Sequence, residues 1–203
     1  MATVRTIVLP HYPSYPIHVC MFKDVSNAAF LRSQLLEANP DFDYAFLDAA
    51  MILSPQHLLS AAFLALHCTQ VARAKTRTAH SELVFRLHPN NNIGESYRKF
   101  GISDKTSALI AVKLALKPET TAQVVAEHLG EHVKGESADP GEALEHVGMW
   151  CDVGKVRKMY KLEGVGEPKK GKRGAIVNGN ASDMDERKEM ESVITGIITL
   201  KGS

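Results

Sequence analysis

KTRTAHSELVFRLHPNNNIGESYRKFGISDKTS, residues 75–107, carries the strongest local signals in the chain. It reads as a basic turn, an alternating apolar run, an asparagine-capped helix and a glycine stop. Leu83, Phe85 and Leu87 alternate with Val84 and Arg86, the period of two of a half-buried strand. Pro89 lacks a backbone N–H and would end that strand's ladder. Asn92 is placed to accept from the first free amides of a helix, and Glu95 completes a capping-box pattern. Ile93, Tyr97 and Phe100 give this helix an apolar stripe. Gly101 stands where a left-handed residue after the helix is expected. Residues 108–114 offer Ile110, Val112 and Leu114 to one face of a further strand. The expected order is strand, helix, strand, and no catalytic set lies among these residues.

Outward from this segment, residues 3–9 and 17–22 read as two strands of a broad hairpin around a proline-rich turn. Ser26 is expected to cap a helix through about residue 37, with Ala28, Leu31, Leu35 and Leu36 inward. Residues 44–48 form a short apolar strand. Ser54 followed by Pro55 is a strong helix start, with serine at the cap and proline at the first turn. Leu58, Leu59, Ala62, Phe63, Leu66 and Val71 give that helix a wide apolar face. Residues 119–132 are helical, with Gly130 weakening the end, and Asp152 caps a short helix through Leu162. Glycines and Lys169, Lys170, Lys172 and Arg173 mark a flexible insertion at 164–182. Asp183 is expected to cap the last helix. The fold class is α/β (mixed α+β): a single domain over 1–203 with a central mixed, largely antiparallel sheet surrounded by helices.

Length and composition bound the function. With 203 residues, 44% hydrophobic and 23% charged, the chain suits one globular domain. A formal charge of +1 excludes a broadly cationic protein, so any nucleic-acid contact must use a local patch. No apolar run approaches the roughly eighteen residues of a membrane span, and no charged-then-apolar leader precedes the first strand. Cys20, Cys68 and Cys151 form no CxxC pair, which suits buried thiols in a reducing compartment. His128-Leu129-Gly130-Glu131-His132 fits H-x-x-E-H, and a small metal-dependent hydrolase using it is the alternative reading. Zinc needs a further protein ligand, so a solvated helix face is the favoured account and no metal or cofactor is assigned. The run 166–173 approaches a phosphate-binding loop, but Arg173 stands where a hydroxyl must ligate magnesium.

Three blocks resemble the PRPK-binding protein family (TPRKB, or Cgi-type), the small accessory subunit of the KEOPS/EKC complex. They are Met21-Phe22-Lys23-Asp24-Val25-Ser26-Asn27-Ala28; the central Lys75-Thr76-Arg77-Thr78, Ser81-Glu82, Leu87, Pro89-Asn90-Asn91-Asn92-Ile93 and Lys99-Phe100-Gly101-Ile102; and Val156-Arg157-Lys158-Met159-Tyr160-Lys161-Leu162. The resemblance implies a non-catalytic subunit that binds the PRPK/Bud-type kinase subunit and, through it, the Kae-type ATPase-fold synthase. It also implies help in holding the 3′ end of tRNA for threonylcarbamoyladenosine modification, in cytoplasm and nucleus. The apolar candidates for the kinase are Val156, Met159 and Tyr160 on one helix and Val193, Ile194 and Ile197 on the last. The same stripes suit closure of the chain's own core. For tRNA the candidates are Arg73, Lys75, Arg77 and Lys99, which equally suit solvated helix ends.

Overall fold

Ile17–Lys23, here β2, is apolar at nearly every position because the sheet it centres is covered on both faces. The computed structural model describes the backbone of residues 1–165 and 179–201 and the side chains of 1–165 and 184–201. The strands are β1 Val4–Ile7, β2, β3 Ala45–Asp48, β4 Leu109–Leu114 and β5 Glu136–Ala138. The helices are α1 Ala28–Leu36, α2 Pro55–Gln70, α3 Ala79–Leu87, α4 Ile93–Phe100, α5 Ala122–His132, α6 Val153–Tyr160 and α7 Gly179–Leu200. The sheet order is β1-β2-β4-β3, and β5 continues the β1 edge beside Met21–Lys23. All pairings among the described residues are antiparallel, so the expected mixed sheet is simpler than its sequence pattern suggested.

The pleat divides the core in two. Ile17, Val19, Met21, Leu47, Ile110 and Val112 face a layer containing Leu58, Leu66, Leu83, Val156, Tyr160 and Ile194. Cys20, Phe22, Phe46, Leu109 and Ala111 face Ala28 and Leu31 of α1 and Val125 and Leu129 of α5. Lys113, at the next step of that alternation, lies on the α1–α5 side near the sheet's rim.

Several local expectations hold at the level of individual atoms. Ser54 accepts from the His57 amide, Asn92 from Glu95 and Asp152 from Lys155. Other expectations change. Residues 83–87 are helix, not strand: Thr78 caps α3 by accepting from the Ser81 amide, and Glu82 pairs with Arg86 one turn on. Because both sides of α3 are buried, with Glu82 and Arg86 among its buried residues, period two carries no information there. Glu95 turns to Arg98 rather than completing the capping box. Gly101 is extended, with φ −74°, not left-handed; glycine is required because a Cβ would lie 2.7 Å from the Tyr97 carbonyl oxygen.

Asn27, not Ser26, stands before α1, and Leu36 and Val71 are exposed past the ends of their apolar faces. The α6 helix ends at Tyr160, with Lys161 in the left-handed region at φ 55°. Helix α7 begins at Gly179, so Asp183 lies inside it. The phosphate-loop-like run, with most of the expected insertion, lies outside the described residues.

Candidate nucleic-acid groove

The turn at 74–78 owes its shape to one buried carboxylate. Glu82 is fully buried, and its Oε2 accepts from the backbone amides of Lys75 (2.8 Å) and Thr76 (3.1 Å) and from the Thr76 hydroxyl. Its Oε1 accepts from Arg86 Nε at 2.8 Å. The same guanidinium donates to the Lys201 carbonyl and to Cys68 Sγ, tying the turn to α2 and the end of α7. Lys201 in turn donates to the Phe85 and His88 carbonyls and lies 3.6 Å from the Phe85 ring centre. The basic turn is thus held from inside while Arg73, Lys75 and Arg77 stay exposed. Neither these three nor Lys99 is in an ion pair among the described residues.

Beside this turn opens a groove of about 1500 Å³, larger than the roughly 300–1,000 Å³ of small-ligand pockets. Its cations are Arg77, Arg32, Arg98, Lys105, Lys113 and Lys117, and the half-buried rings of Tyr97, His128 and His132 share its lining. Arg32 and Arg98 are neutralised by Asp104 and Glu95. Lys113 Nζ donates to the Asp43 carbonyl at 2.6 Å and sits 4.5 Å from the Tyr44 ring centre. Burial lowers the pKa of its ammonium, against the pull of Asp43. Of the four basic residues singled out in the sequence, only Arg77 lines the groove. Arg73, Lys75 and Lys99 do not. Sequence reasoning missed Arg32, Arg98, Lys105, Lys113 and Lys117. Lys113 alone left a signal, as the one charge inside an otherwise apolar strand.

On the floor, His80 meets Asp43, Nδ1 to Oδ2, at 3.0 Å and skewed from the N–H axis. The other imidazole nitrogen, Nε2, accepts the Leu114 amide at 2.9 Å. A nitrogen that accepts a backbone N–H bears no proton, so His80 is neutral with its hydrogen on Nδ1, toward Asp43. Burial lowers the imidazole pKa, in agreement. Burial also opposes ionisation of Asp43, but His80, Lys113 and Thr78 outweigh it and hold its carboxyl below the usual range. Although Ser81 and Thr78 adjoin, the base nitrogen of His80 is already committed, so these residues do not form a nucleophile–base pair.

The two histidines of the H-x-x-E-H run pack on Phe42, their ring centres 4.5 Å apart, and His128 Nδ1 contacts the Tyr44 hydroxyl at 3.2 Å. Among the described residues, no three His, Cys, Asp or Glu side chains converge as metal ligands. Cys20 and Cys68 are buried and Cys151 half-buried, all as free thiols; burial pushes Cys20 up to about 12 and Cys151 to about 11. No helix among the described residues is long and apolar enough to cross a membrane.

The apolar candidates divide by burial. Val156, Tyr160 and Ile194 lie in the chain's own core, Met159 and Ile197 pack partly against it, and Val193 is 39% exposed. Burial therefore leaves Val193 as the anchor most open to a partner.

Fold and surface define a mixed α/β protein with a sheet covered on both faces and a cationic groove along one side. Residues 22–202 match the family described as kinase binding protein CGI-121, and the chain belongs to that family. It is 54% identical to the EKC/KEOPS complex subunit CGI121 of Phaeosphaeria nodorum, over 99% of this chain and 100% of that protein. Identity is 41% with the same-named subunit of Aspergillus fumigatus, covering 98% and 97% of the two chains. With that of Schizosaccharomyces pombe it is 34%, covering 77% and 88%.

Proposed function

We propose that this chain is a non-catalytic subunit of an EKC/KEOPS assembly. It binds the PRPK/Bud-type kinase subunit, reaches the Kae-type ATPase-fold synthase through it, and holds a single-stranded tRNA 3′ end in its groove. In this role it supports threonylcarbamoyladenosine modification of tRNA, in cytoplasm and nucleus, while the bond-making belongs to its partners. The observation that carries the reading is the groove: Arg77, Lys105 and Lys117 share its lining with half-buried rings, and its six cations outnumber the carboxylates of Asp41, Asp43, Asp104 and Glu119 in a chain whose net charge is only +1. Such a concentration of cations suits phosphates, and neighbouring rings suit unstacked bases. Weak affinity is sufficient, because tethering within an assembly raises the effective concentration of the RNA.

The test is the salt dependence of binding a labelled single-stranded RNA with a tRNA-like 3′ end. Arg77→Glu with Lys105→Glu is expected to weaken binding and to lower the slope of log K on log salt by about 0.7 for each phosphate that is no longer neutralised. A slope unchanged in the double variant removes the groove from RNA binding.

A further inference from the structure

Within this cationic groove one carboxylate stands out. Asp104 and Glu95 are neutralised by their own arginines, but Asp43 instead faces a buried neutral histidine, whose Nδ1 lies 3.0 Å from its Oδ2. His80 is 3% exposed and has its orientation set by the Leu114 amide, while the Asp43 side chain keeps 37% of its surface open. Lys113 approaches the Asp43 backbone carbonyl, not the carboxylate, and so frames it without closing an ion pair. Asp41 and Glu119 add negative charge on the lining, whereas Arg77, Lys105 and Lys117 bring positive charge around it.

An ionised carboxylate inside a phosphate-binding groove weakens general affinity for polyanions. It repels phosphate at short range and, being an acceptor only, it is matched by hydroxyl donors. In nucleic acid the best such donor is a terminal ribose, whose 2′- and 3′-hydroxyls can both reach one carboxylate. Acidic residues engage a ribose 2′-hydroxyl in the same way in dinucleotide sites. An internal ribose has only its 2′-hydroxyl, and a 3′-phosphorylated end replaces a donor with an anion.

We propose that Asp43 is the specificity-determining residue of the groove, accepting hydrogen bonds from the 2′,3′-diol of an RNA's terminal ribose and rejecting ends that carry a 3′-phosphate. The inference rests on the RNA reading of the groove and adds which chemical form of the 3′ end the groove accepts, and through which residue. His80 is its positioning residue.

The experiment compares one labelled single-stranded RNA in three forms: free 3′-hydroxyl, 2′-deoxy at the last nucleotide, and 3′-phosphate. Affinities are measured by fluorescence anisotropy on the full chain, as wild type, Asp43→Asn and Arg77→Glu, with thermal melts to verify folding. Wild type is expected to prefer the diol about ten- to a hundredfold over the 3′-phosphate, with the deoxy end between, as for loss of a charge-assisted hydrogen bond. Asp43→Asn is expected to compress that ratio while binding the 3′-phosphate end at least as well as wild type.

Equal wild-type affinity for the three ends, with all three weakened by Arg77→Glu, overturns the proposal and leaves RNA binding in place. No binding, or binding indifferent to Arg77→Glu, overturns the groove reading and this one with it. The wild-type comparison is independent of how well Asp43→Asn folds.

Discussion

Glu82 shows how one side chain shapes a surface it never reaches. Its two oxygens serve opposite duties, one fixing the Lys75–Thr76 amides and one neutralising Arg86, which is itself 3% exposed. Removing one member of a buried pair leaves the other uncompensated, which typically costs about 3–5 kcal/mol. Glu82→Gln is therefore expected to lower urea-unfolding stability by that order, and to loosen the turn that carries Arg77, seen as faster amide exchange at residues 75–77. Unaltered stability would mean that Arg86 is held by Cys68 and the Lys201 carbonyl alone. Sequence reading identified Ser81-Glu82 as part of a pattern but not as a buried anchor, because glutamate on a nine-residue run gives no local sign of which way it points. The exposed cations Arg73, Lys75 and Arg77 were legible, since closely spaced basic residues at a turn have nowhere to go but solvent.

Three helices meet at a single phenol. Tyr160 at the end of α6 donates to the Leu87 carbonyl at the end of α3, and accepts from His57 Nε2, 2.8 Å away on α2. The Nδ1 of His57 accepts the Leu53 amide, so the imidazole is neutral and its tautomer is determined. Tyr160→Phe leaves the carbonyl and the ring N–H without partners, and is expected to lower stability by about 1–3 kcal/mol in urea titration. Burial pushes His57 down to about 3 from its ordinary 6.5, so between those values the unfolded chain binds a proton that the folded chain does not. Stability from this group is complete above pH 6.5 and is lost as pH falls toward 3, at about 1.4 kcal/mol per pH unit. His57→Gln is expected to flatten that fall between about pH 4 and 6; an identical slope would assign the acid sensitivity to other buried histidines such as His80. At this scale the serine and proline opening α2 and the aspartate opening α6 were readable, since caps are local. Their junction at Tyr160 was not, because its partners lie 73 and 103 residues away.

For the whole molecule, the question is which surface meets a partner. Val193 is 39% exposed on α7 beside the fully buried Ile194, so adjacent positions separate binding from folding. Val193→Asp is expected to keep the wild-type urea midpoint and to weaken affinity for the kinase subunit by at least about tenfold, as for loss of an apolar anchor. Ile194→Asp buries an unpaired charge and is expected to unfold the α7 contact. Full kinase affinity in a folded Val193→Asp protein would exclude this face of α7. The sequence by itself determined the α/β class, the starts of α2, α4 and α6, the strands β1 to β4 and the family, because capping, periodicity and matched blocks are encoded within a few residues. Tertiary structure alone decided that residues 83–87 are helix, since a segment buried on both sides shows no amphipathic period. It alone assembled the groove, whose Arg32 on α1 and Asp43, Arg77, Lys105 and Lys117 on separate connecting segments meet only when the antiparallel sheet is paired and its helices are laid across it.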